Sequence, residues 1–384
     1  MVDTLFLREG TFLGRVWRDD INGPAIVTVR DRMIVDITSR AAPLSRDVIE
    51  HESPAEFVQN AKGEVIADAR TILEAGKTHG VRLLAPIDLQ AVKACGVTFA
   101  KSMIERVIEE RAAGNADRAA SIRERVTAII GTSLRNLKAG SPEAADVKAA
   151  LIEEGIWSQY LEVGIGPDAE VFSKAQIMSS VGHRADVGLH PISQWNNPEP
   201  EIVLAVDSGG TVKGAALGND VNLRDVEGRS ALLLGKAKDN NASCAIGPFI
   251  RLFDDTYGID DVRQAELSLS VDGNDGFLLR GHSSMAEISR DPLDLVSQTI
   301  GRHHQYPDGL VLFLGTSFAP IEDRDAPGQG FTHHVGDFVT IANDRLGELC
   351  NQVRLSTECE TWSFGASHLM RNLAGRGLLG GSGD

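Results

Sequence analysis

Residues 197–222 read NPEPEIVLAVDSGGTVKGAALGNDVN and predict a β-hairpin with acidic residues at its open end. A two-residue loop at Gly209-Gly210 is a strong hairpin signal, and it makes the numbers of facing residues sum to 419. Glu199 then faces Asp220 across the two strands. Because side chains alternate along a strand, Glu199, Glu201 and Asp220 share one face. Carboxylates held this closely repel one another unless a cation lies between them, so the hairpin predicts a metal site.

A solvated acidic edge strand is the alternative interpretation of the same stretch. The two prolines of the first strand suit an edge, and one bulge would move Asp220 to the opposite face. Two details favour the metal site. The shared face is apolar below the acids, at Val203 and Ala205, and Gly218 leaves open space opposite Glu201.

Composition narrows the class of protein. The chain has 384 residues, of which 42% are hydrophobic, so it can bury a large core. Its formal net charge of −16 argues against binding nucleic acid or an anionic membrane surface. The 4 cysteines form no CxxC pair, and no apolar run is long enough to span a bilayer. These features predict a protein of the reducing cytoplasm.

The pattern along the chain changes twice. Residues 1–85 predict a small N-terminal β-rich domain, and residues 86–384 a larger catalytic domain. Within the latter, residues 101–157 form a charged helical insertion, which includes an amphipathic helix from Ile122 to Leu137 and a helix start at Ser141-Pro142-Glu143. The chain is then β-rich, and the apolar run 309–314 predicts a buried strand.

Further motifs accompany the acidic hairpin in a fixed order along the chain. They are Glu170 with Phe172-Ser173-Lys174, Pro198-Glu199-Pro200-Glu201, Gly218-Asn219-Asp220 with Arg224-Asp225, Ala237-Lys238 before Cys244, Gly315-Thr316 and Gly336-Asp337. This order resembles the fumarylacetoacetate hydrolase (FAH) family throughout residues 86–353. The resemblance implies an α+β fold, mostly β: a mixed β-sandwich roll as catalytic domain, with the small N-terminal domain and the helical insertion.

The resemblance also implies roles for individual residues. Glu199, Glu201 and Asp220 would hold a divalent metal, usually Mg²⁺, with Mn²⁺ or Ca²⁺ as alternatives. Lys238 matches the active-site lysine, with Lys236 as a competing assignment and a surface lysine as the alternative reading of Lys238. Glu170 matches an acidic residue near the metal and is the expected base.

Substrate contacts are expected from Phe99, Arg224, Gly315 and Thr316, which match family motifs, and from Ser102. The expected partner is a small anionic 2-keto acid, and the resemblance implies a homodimer or homotetramer.

Departures from the family pattern separate the possible reactions. Ser102 stands where members that hydrolyse C–C bonds carry the histidine of a His-x-x-Glu pair, and only Glu105 remains. The chain is more similar to the branch that dehydrates 2-keto-3-deoxy sugar acids. That reaction removes the C3 proton, passes through a metal-stabilised enolate and expels the C4 hydroxyl as water; Glu105 is the alternative base. A hydrolase of diketo acids or acylpyruvates, a non-catalytic metal-binding scaffold, and a decarboxylase or tautomerase remain as alternatives.

Overall fold

Two β-sheets and the helices around them build the chain. The computed structural model describes residues 5–113, 115, 119, 137–153, 155, 157–318, 320, 322–327 and 330–379. The strands are β1 (Phe12–Arg18), β2 (Gly23–Arg30), β3 (Met33–Asp36), β4 (Glu64–Asp68), β5 (Lys77–Thr78), β6 (Val81–Leu84), β7 (Ala91–Gly96), β8 (Glu170–Ala175), β9 (Asp186–Leu189), β10 (Pro200–Val206), β11 (Val212–Asp220), β12 (Cys244–Leu252), β13 (Glu266–Asp272), β14 (Leu278–Ser284), β15 (Leu310–Phe313), β16 (Phe338–Asn343) and β17 (Gly347–Leu355).

Helices lie between the strands and at the chain's end. They are α1 (Ser45–Ile49), α2 (Pro54–Asn60), α3 (Ala69–Ala75), α4 (Ala100–Ala112), α5 (Pro142–Glu153), α6 (Gln159–Ile165), α7 (Arg224–Arg229), α8 (Leu234–Lys238), α9 (Ile259–Arg263), α10 (Pro292–Thr299) and α11 (Ala366–Gly375), with 3-10 turns at Leu5–Arg8, Ala231–Leu233 and Met285–Glu287. The predicted α+β class is confirmed. Within the described ranges, no helix has both the length and the apolar character that a membrane crossing requires.

The larger sheet has twelve strands, most of them in the order β4-β3-β2-β1-β12-β11-β10-β15-β7-β8, with β6 pairing β1 and β5 pairing β6. The smaller sheet has the order β14-β13-β16-β17-β9. Leu204 and Leu217 of the larger sheet share a buried cluster with Leu269 and Ile341 of the smaller one. The two sheets therefore pack face to face around the main core.

The hairpin β10–β11 lies inside the larger sheet, with β12 on one side and β15 on the other. The edge-strand alternative is therefore wrong. Both faces of β10 are buried, since Leu204 faces one hydrophobic cluster and Val203 the other. The apolar run 309–314 supplies β15, and its prediction as a buried strand is confirmed.

The predicted pairing of the hairpin is confirmed from Pro200 to Ala205, where facing residues sum to 419 and Glu201 lies opposite Gly218. The space opposite Glu201 is not open. A Cβ at Gly218 would overlap the side chains of Phe313 and Val203, which fill that space. Gly218 therefore allows close packing below the acids.

The predicted two-residue turn is wrong. Asp207 donates its backbone N–H to the carbonyl of Thr211 at 3.0 Å, which leaves a three-residue loop. Val206 pairs with Val212, and the register shifts before the next pair, so that Lys213 is the extra residue of a β-bulge. The longer loop and the bulge offset each other, and the register reaches the acidic end unchanged.

The N-terminal strands extend the larger sheet. β1 pairs with β12 at Phe12–Arg251 and Leu13–Ile250. The expected boundary between residues 85 and 86 therefore falls within one hydrogen-bonded sheet, and the division into two domains stays a prediction.

The expected helical insertion contains α5 and all of α4 except its first residue, and α6 follows it. α5 begins at Pro142, as the sequence predicts. The amphipathic helix predicted from Ile122 lies outside the described residues, apart from its last position, Leu137. α4 buries Met103, Val107 and Ile108 in a cluster with α6, and this packing places the helix beside the open end of the hairpin.

Candidate metal centre

Three carboxylates meet at the end of the central hairpin. Glu199, Glu201 and Asp220 each offer an oxygen, and these oxygens lie within 4.8 Å of one another. The Asp220 N–H donates to the Glu199 carbonyl at 3.1 Å, so the backbone ladder continues up to the acids. All three side chains are buried, with at most 6% of each residue exposed.

Two buried lysines contact the acids. Lys238 Nζ lies 2.5 Å from Glu199 Oε2 and 3.1 Å from Asp220 Oδ2. Lys174 Nζ lies 3.0 Å from Asp220 Oδ1. Burial lowers the pKa of Lys238, but Asp220 and Glu199 raise it by more, so the amine stays protonated. Lys238 is buried, whereas the competing Lys236 is exposed, so the surface alternative for Lys238 is excluded.

Glu201 is buried beside two like charges. Burial first, and then Asp220 and Glu199, raise the pKa of Glu201 well above its ordinary value. Gly315 donates its backbone N–H to Glu201 Oε2 at 2.6 Å. Gly315 has φ +86°, and a Cβ there would overlap the hydroxyl of Thr98. The turn at Gly315 therefore depends on glycine.

Arg106 is a further cation at the site. Its Nη2 lies 2.6 Å from Glu199 Oε1, while Nη1 lies 2.6 Å from Glu109 and 3.0 Å from Glu227. Burial raises the pKa of Glu227, and the neighbouring charge of Arg106 lowers it by less, so the pKa of this carboxyl is raised to about 7. Arg106 thus links α4 to the hairpin.

Arg224 lies beside the carboxylate trio without contacting it. Its Nε lies 2.6 Å from Glu109 and its Nη2 3.2 Å from Glu105, both on α4. Its guanidinium stacks 4.3 Å from the ring centre of Trp195. Two acids of α4 therefore neutralise the cation expected to hold a substrate carboxylate.

A small cavity of about 20 Å³ adjoins Glu199. It is lined by Ser102, Glu105, Arg106, Glu109, Asn197, Glu199, Arg224, Thr316 and Phe318. Three of the five expected substrate contacts are in this lining. Of the other two, Gly315 bonds Glu201, and Phe99 is buried at the start of α4, where its carbonyl accepts the Ser102 hydroxyl at 2.9 Å. The cavity admits about one water, so a larger ligand requires side chains of α4 to move.

Glu170 begins β8 and pairs with Gly96 of β7. A Cβ at position 96 would overlap the Glu170 carboxylate, so glycine makes room for it. Burial raises the pKa of Glu170, Arg106 and Lys238 lower it, and Glu199 and Asp220 raise it further. These interactions place Glu170 within electrostatic reach of the trio.

The donor set suits a hard divalent cation. All three groups are carboxylates, the ligands that Mg²⁺ and Ca²⁺ prefer. Asp220 Oδ1 is buried and makes no hydrogen bond among the described residues, although Lys174 lies nearby. The like charges that raise the pKa of Glu201 are those that a cation would stabilise. The three residues therefore fit the expected metal.

Sequence reasoning missed Arg106, Glu109 and Glu227, and quoted Lys174 without assigning it a role. A signal for the α4 residues exists. Ser102, Glu105, Arg106 and Glu109 recur at spacings of three, one and three, which places them on one helical face. The position of that face beside the hairpin needed the fold.

Known proteins resemble this chain in sequence. A probable 2-keto-3-deoxyxylonate dehydratase of Haloferax volcanii is 30% identical over 201 residues, which cover 52% of this chain and 65% of the relative. A 2-dehydro-3-deoxy-D-arabinonate dehydratase of Saccharolobus solfataricus is 28% identical over 185 residues, covering 48% and 58%. The matched segments thus span less than two thirds of these relatives.

Solved structures share the fold. A 2-keto-3-deoxy-D-arabinonate dehydratase complexed with magnesium and 2,5-dioxopentanoate superposes with a TM-score of 0.61 at 19% identity, covering 90% of this chain and 99% of that chain. A fumarylacetoacetate hydrolase from Exiguobacterium antarcticum reaches 0.53 at 17% identity, with the same coverage. At these identities the likeness shows the fold alone.

The match to a protein family covers the metal-centre strands. Residues 167–354 match the family described as fumarylacetoacetate (FAA) hydrolase, C-terminal, and this segment contains β8 to β17 with Glu170, the carboxylate trio and Lys238. The predicted resemblance is confirmed: residues 167–354 of this chain match the C-terminal domain of the fumarylacetoacetate hydrolase family.

Proposed function

We propose that this chain is a divalent-metal-dependent lyase that dehydrates a 2-keto-3-deoxy sugar acid. One observation carries the proposal. Buried Lys238 contacts two of three clustered carboxylates, and the described residues that line the adjoining cavity include no histidine to activate water. The sequence relatives, which are named as dehydratases of such acids, support the same reaction class.

The metal would be held by Glu199, Glu201 and Asp220, with Mg²⁺ as the proposed ion and Mn²⁺ or Ca²⁺ as alternatives. Three carboxylates leave about three of the six oxygen positions that Mg²⁺ prefers for substrate and water. When bound, the ion supplies Lewis-acid polarisation of the keto group, which acidifies the C3 proton.

The protein's own residues would divide the remaining work. Lys238, whose pKa Asp220 and Glu199 raise, would stabilise negative charge that develops on the keto oxygen. Glu170 would take the C3 proton, and its burial, which raises the pKa, makes its carboxylate the stronger base. Glu105 is the alternative base, because it lines the cavity from α4.

The substrate would be a small anionic 2-keto acid lying in the cavity under α4. Ser102 and Thr316 offer hydroxyls to the substrate's own hydroxyl groups, and Arg224 offers donors to its carboxylate. Because the cavity admits about one water, binding would displace side chains of α4. As the family resemblance implies, we propose a homodimer or homotetramer, which light scattering measures directly.

Hydrolysis of a diketo acid or acylpyruvate is the second candidate. Glu105 favours it, because this residue matches the glutamate of the His-x-x-Glu pair and lines the cavity. Incubation with a 2-keto-3-deoxypentonate and with an acylpyruvate separates the two. We expect divalent-cation-dependent conversion of the former to a dioxo acid. Release of pyruvate from the latter, without any dehydration, would overturn the proposal.

A pair of lysine variants distinguishes catalysis from a purely structural metal site. We expect Lys238→Met to lower the rate of dehydration by about 10²–10³-fold, since a charge next to the reacting oxygen is lost. Lys236→Met, two residues away on the exposed side of α8, should retain the wild-type rate. Equal rates for the two variants would show that Lys238 takes no part in the reaction, and the absence of dehydration in the wild type would favour the scaffold alternative.

A further inference from the structure

A second and larger cavity lies away from the metal centre. It has a volume of about 490 Å³, and its walls come from β1, β6, residues 178–186 and the C-terminal residues 359–364. We name it the Trp17 cavity. Its lining and the lining of the metal-centre cavity have no described residue in common. The volume falls within the range of about 300–1,000 Å³ that is typical of small-molecule sites.

The Trp17 cavity is cationic, although the whole chain has a net charge of −16. Its charged lining residues are Arg15, Lys77, Arg82 and Arg184 against Asp186 and Glu360. Arg82 lies 3.3 Å from Glu360 at the exposed rim. Neither Lys77 nor Arg184 has a carboxylate partner in the described part of the chain. The surplus positive charge is therefore available to an anion.

One cation is buried in the wall. Arg15 is 4% exposed, and its Nη1 donates to the backbone carbonyls of Ala85 and Ile87. Its Nε lies 3.7 Å from Asp88 and has no hydrogen-bond acceptor among the described residues. A buried guanidinium with a spare donor stabilises an anion more strongly than an exposed one does.

The backbone around the cavity is strained at three non-glycine positions. Met178, Arg184 and Ala242 line it with φ of +67°, +67° and +58°. Gly76, also left-handed, packs against Arg184, where a Cβ would overlap the arginine side chain. Left-handed non-glycine residues concentrate at ligand sites. Arg184, one of these residues, lies in the cavity wall.

Aromatic rings also line the cavity. Trp17 and Phe364 pack edge to face at 5.1 Å between ring centres, and the Arg82 guanidinium lies 5.5 Å from the Trp17 ring. Trp362 also lines the cavity and is 45% exposed. Exposed tryptophan beside cations suits a ligand that has both a planar ring and a negative charge.

We propose that the Trp17 cavity binds a small anion that carries a planar ring, such as a nucleoside monophosphate or an aromatic carboxylate. Lys77 and Arg184 hold the anionic group, and Trp17 and Trp362 contact the ring. The cavity wall at Ala242 continues into Ser243, whose hydroxyl donates to the carbonyl of Lys238 at 2.8 Å. A ligand in the cavity therefore contacts the segment that positions the metal-centre lysine.

Isothermal titration calorimetry of the full chain tests the proposal with adenosine monophosphate and benzoate as probes. We expect one site per chain for at least one probe; tighter binding of the first identifies a phosphate site, and tighter binding of the second a carboxylate site. Lys77→Gln and Arg184→Gln should each weaken binding about tenfold, which corresponds to about 1.4 kcal/mol. The exposed Lys62→Gln, outside the cavity, should bind as the wild type does.

Three results would overturn the proposal. The first is no binding of either probe up to about 10 mM. The second is equal affinity for the cavity variants and Lys62→Gln, which would place the bound anion elsewhere. The third is binding of inorganic phosphate as tight as that of adenosine monophosphate, because the aromatic wall would then contribute nothing. Trp362→Leu, at an exposed position, should weaken the binding of whichever probe binds, since both carry a ring, while leaving the melting temperature of the protein unchanged.

Discussion

Replacing Glu201 by Gln tests whether the carboxylate trio holds a divalent cation. Glu201 is 2% exposed, and burial, Asp220 and Glu199 together raise its pKa well above the ordinary value. Without a divalent cation, the substitution removes a charge that its surroundings disfavour. We therefore expect Glu201→Gln to melt at or above the wild-type temperature in the presence of a chelator.

Saturating Mg²⁺ should reverse that order. A cation at 100 times its dissociation constant stabilises the folded state by about 2.7 kcal/mol. The entropy of unfolding is about 2.1 cal/mol/K per residue, or about 0.8 kcal/mol/K for 384 residues. The wild type should therefore gain about 3 °C in melting temperature, and Glu201→Gln should gain much less, because one of three charged ligands is lost.

Differential scanning fluorimetry at constant ionic strength measures these shifts with EDTA, Mg²⁺, Mn²⁺ and Ca²⁺. Glu52→Gln, an exposed loop position, is the matched control and should respond to the cations as the wild type does. An equal Mg²⁺ shift in Glu201→Gln would refute Glu201 as a ligand. Absence of a shift with all three cations in the wild type would refute the site.

Three further variants test the surroundings of the site. Arg106→Gln should lower the free energy of unfolding by about 3–5 kcal/mol, because it leaves buried carboxylates unpaired. The exposed Arg111→Gln should lower it little, and equal melting temperatures of the two variants would contradict the prediction. Burial raises the pKa of Glu227 from 4.5 to about 7, so the folded protein binds this proton more tightly than the unfolded chain does, and stability falls as pH rises through that window. Glu227→Gln should therefore gain stability relative to the wild type between about pH 5 and 7, and parallel pH profiles in urea denaturation would argue against it. Gly315→Ala should lower the free energy of unfolding by about 1–3 kcal/mol, because the new Cβ overlaps Thr98 and the backbone there is left-handed. Gly235→Ala is the control, since its Cβ would meet open space. Equal stability of the two variants in calorimetry would contradict the prediction.

The carboxylate trio was predictable because it depends on local rules. Strand alternation and one turn bring Glu199, Glu201 and Asp220 together without any information from the rest of the chain. The turn was predicted wrongly, and the bulge at Lys213 corrected the register by one residue. A bulge leaves no clear sequence signal here, since Lys213 continues the alternation of the strand.

The cations around the trio were harder to predict because they come from distant segments. Arg106 reaches Glu199 across 93 residues, and Lys174 reaches Asp220 from a strand at the sheet's far edge. The sequence predicts α4 only as part of a charged helical insertion. Its hydrophobic face packs on α6, and that long-range contact turns the charges inward.

The pairing of the N-terminal strands was also not predictable from the sequence. Their alternation predicts strands, and the strands form, but their pairing partner is not encoded locally. β1 joins β12 by only two residue pairs, at Phe12 and Leu13. Pairing this short, between segments more than 200 residues apart, cannot be predicted from hydrophobic periodicity or from turn residues.

The bulge in the central hairpin also gives the chain tolerance to length change. Between Ala205 and Gly214 lie eight residues, which form two cross-strand pairs, a three-residue loop and the bulge at Lys213, whereas the same two pairs closed by a two-residue turn would need six. Deleting a single residue, either from the loop or at Lys213, can be absorbed there while every pair from Ala205 to the acids is kept. Relatives that differ by one residue in this turn can therefore keep the same ligand alignment, so a gap there is no sign of a lost site.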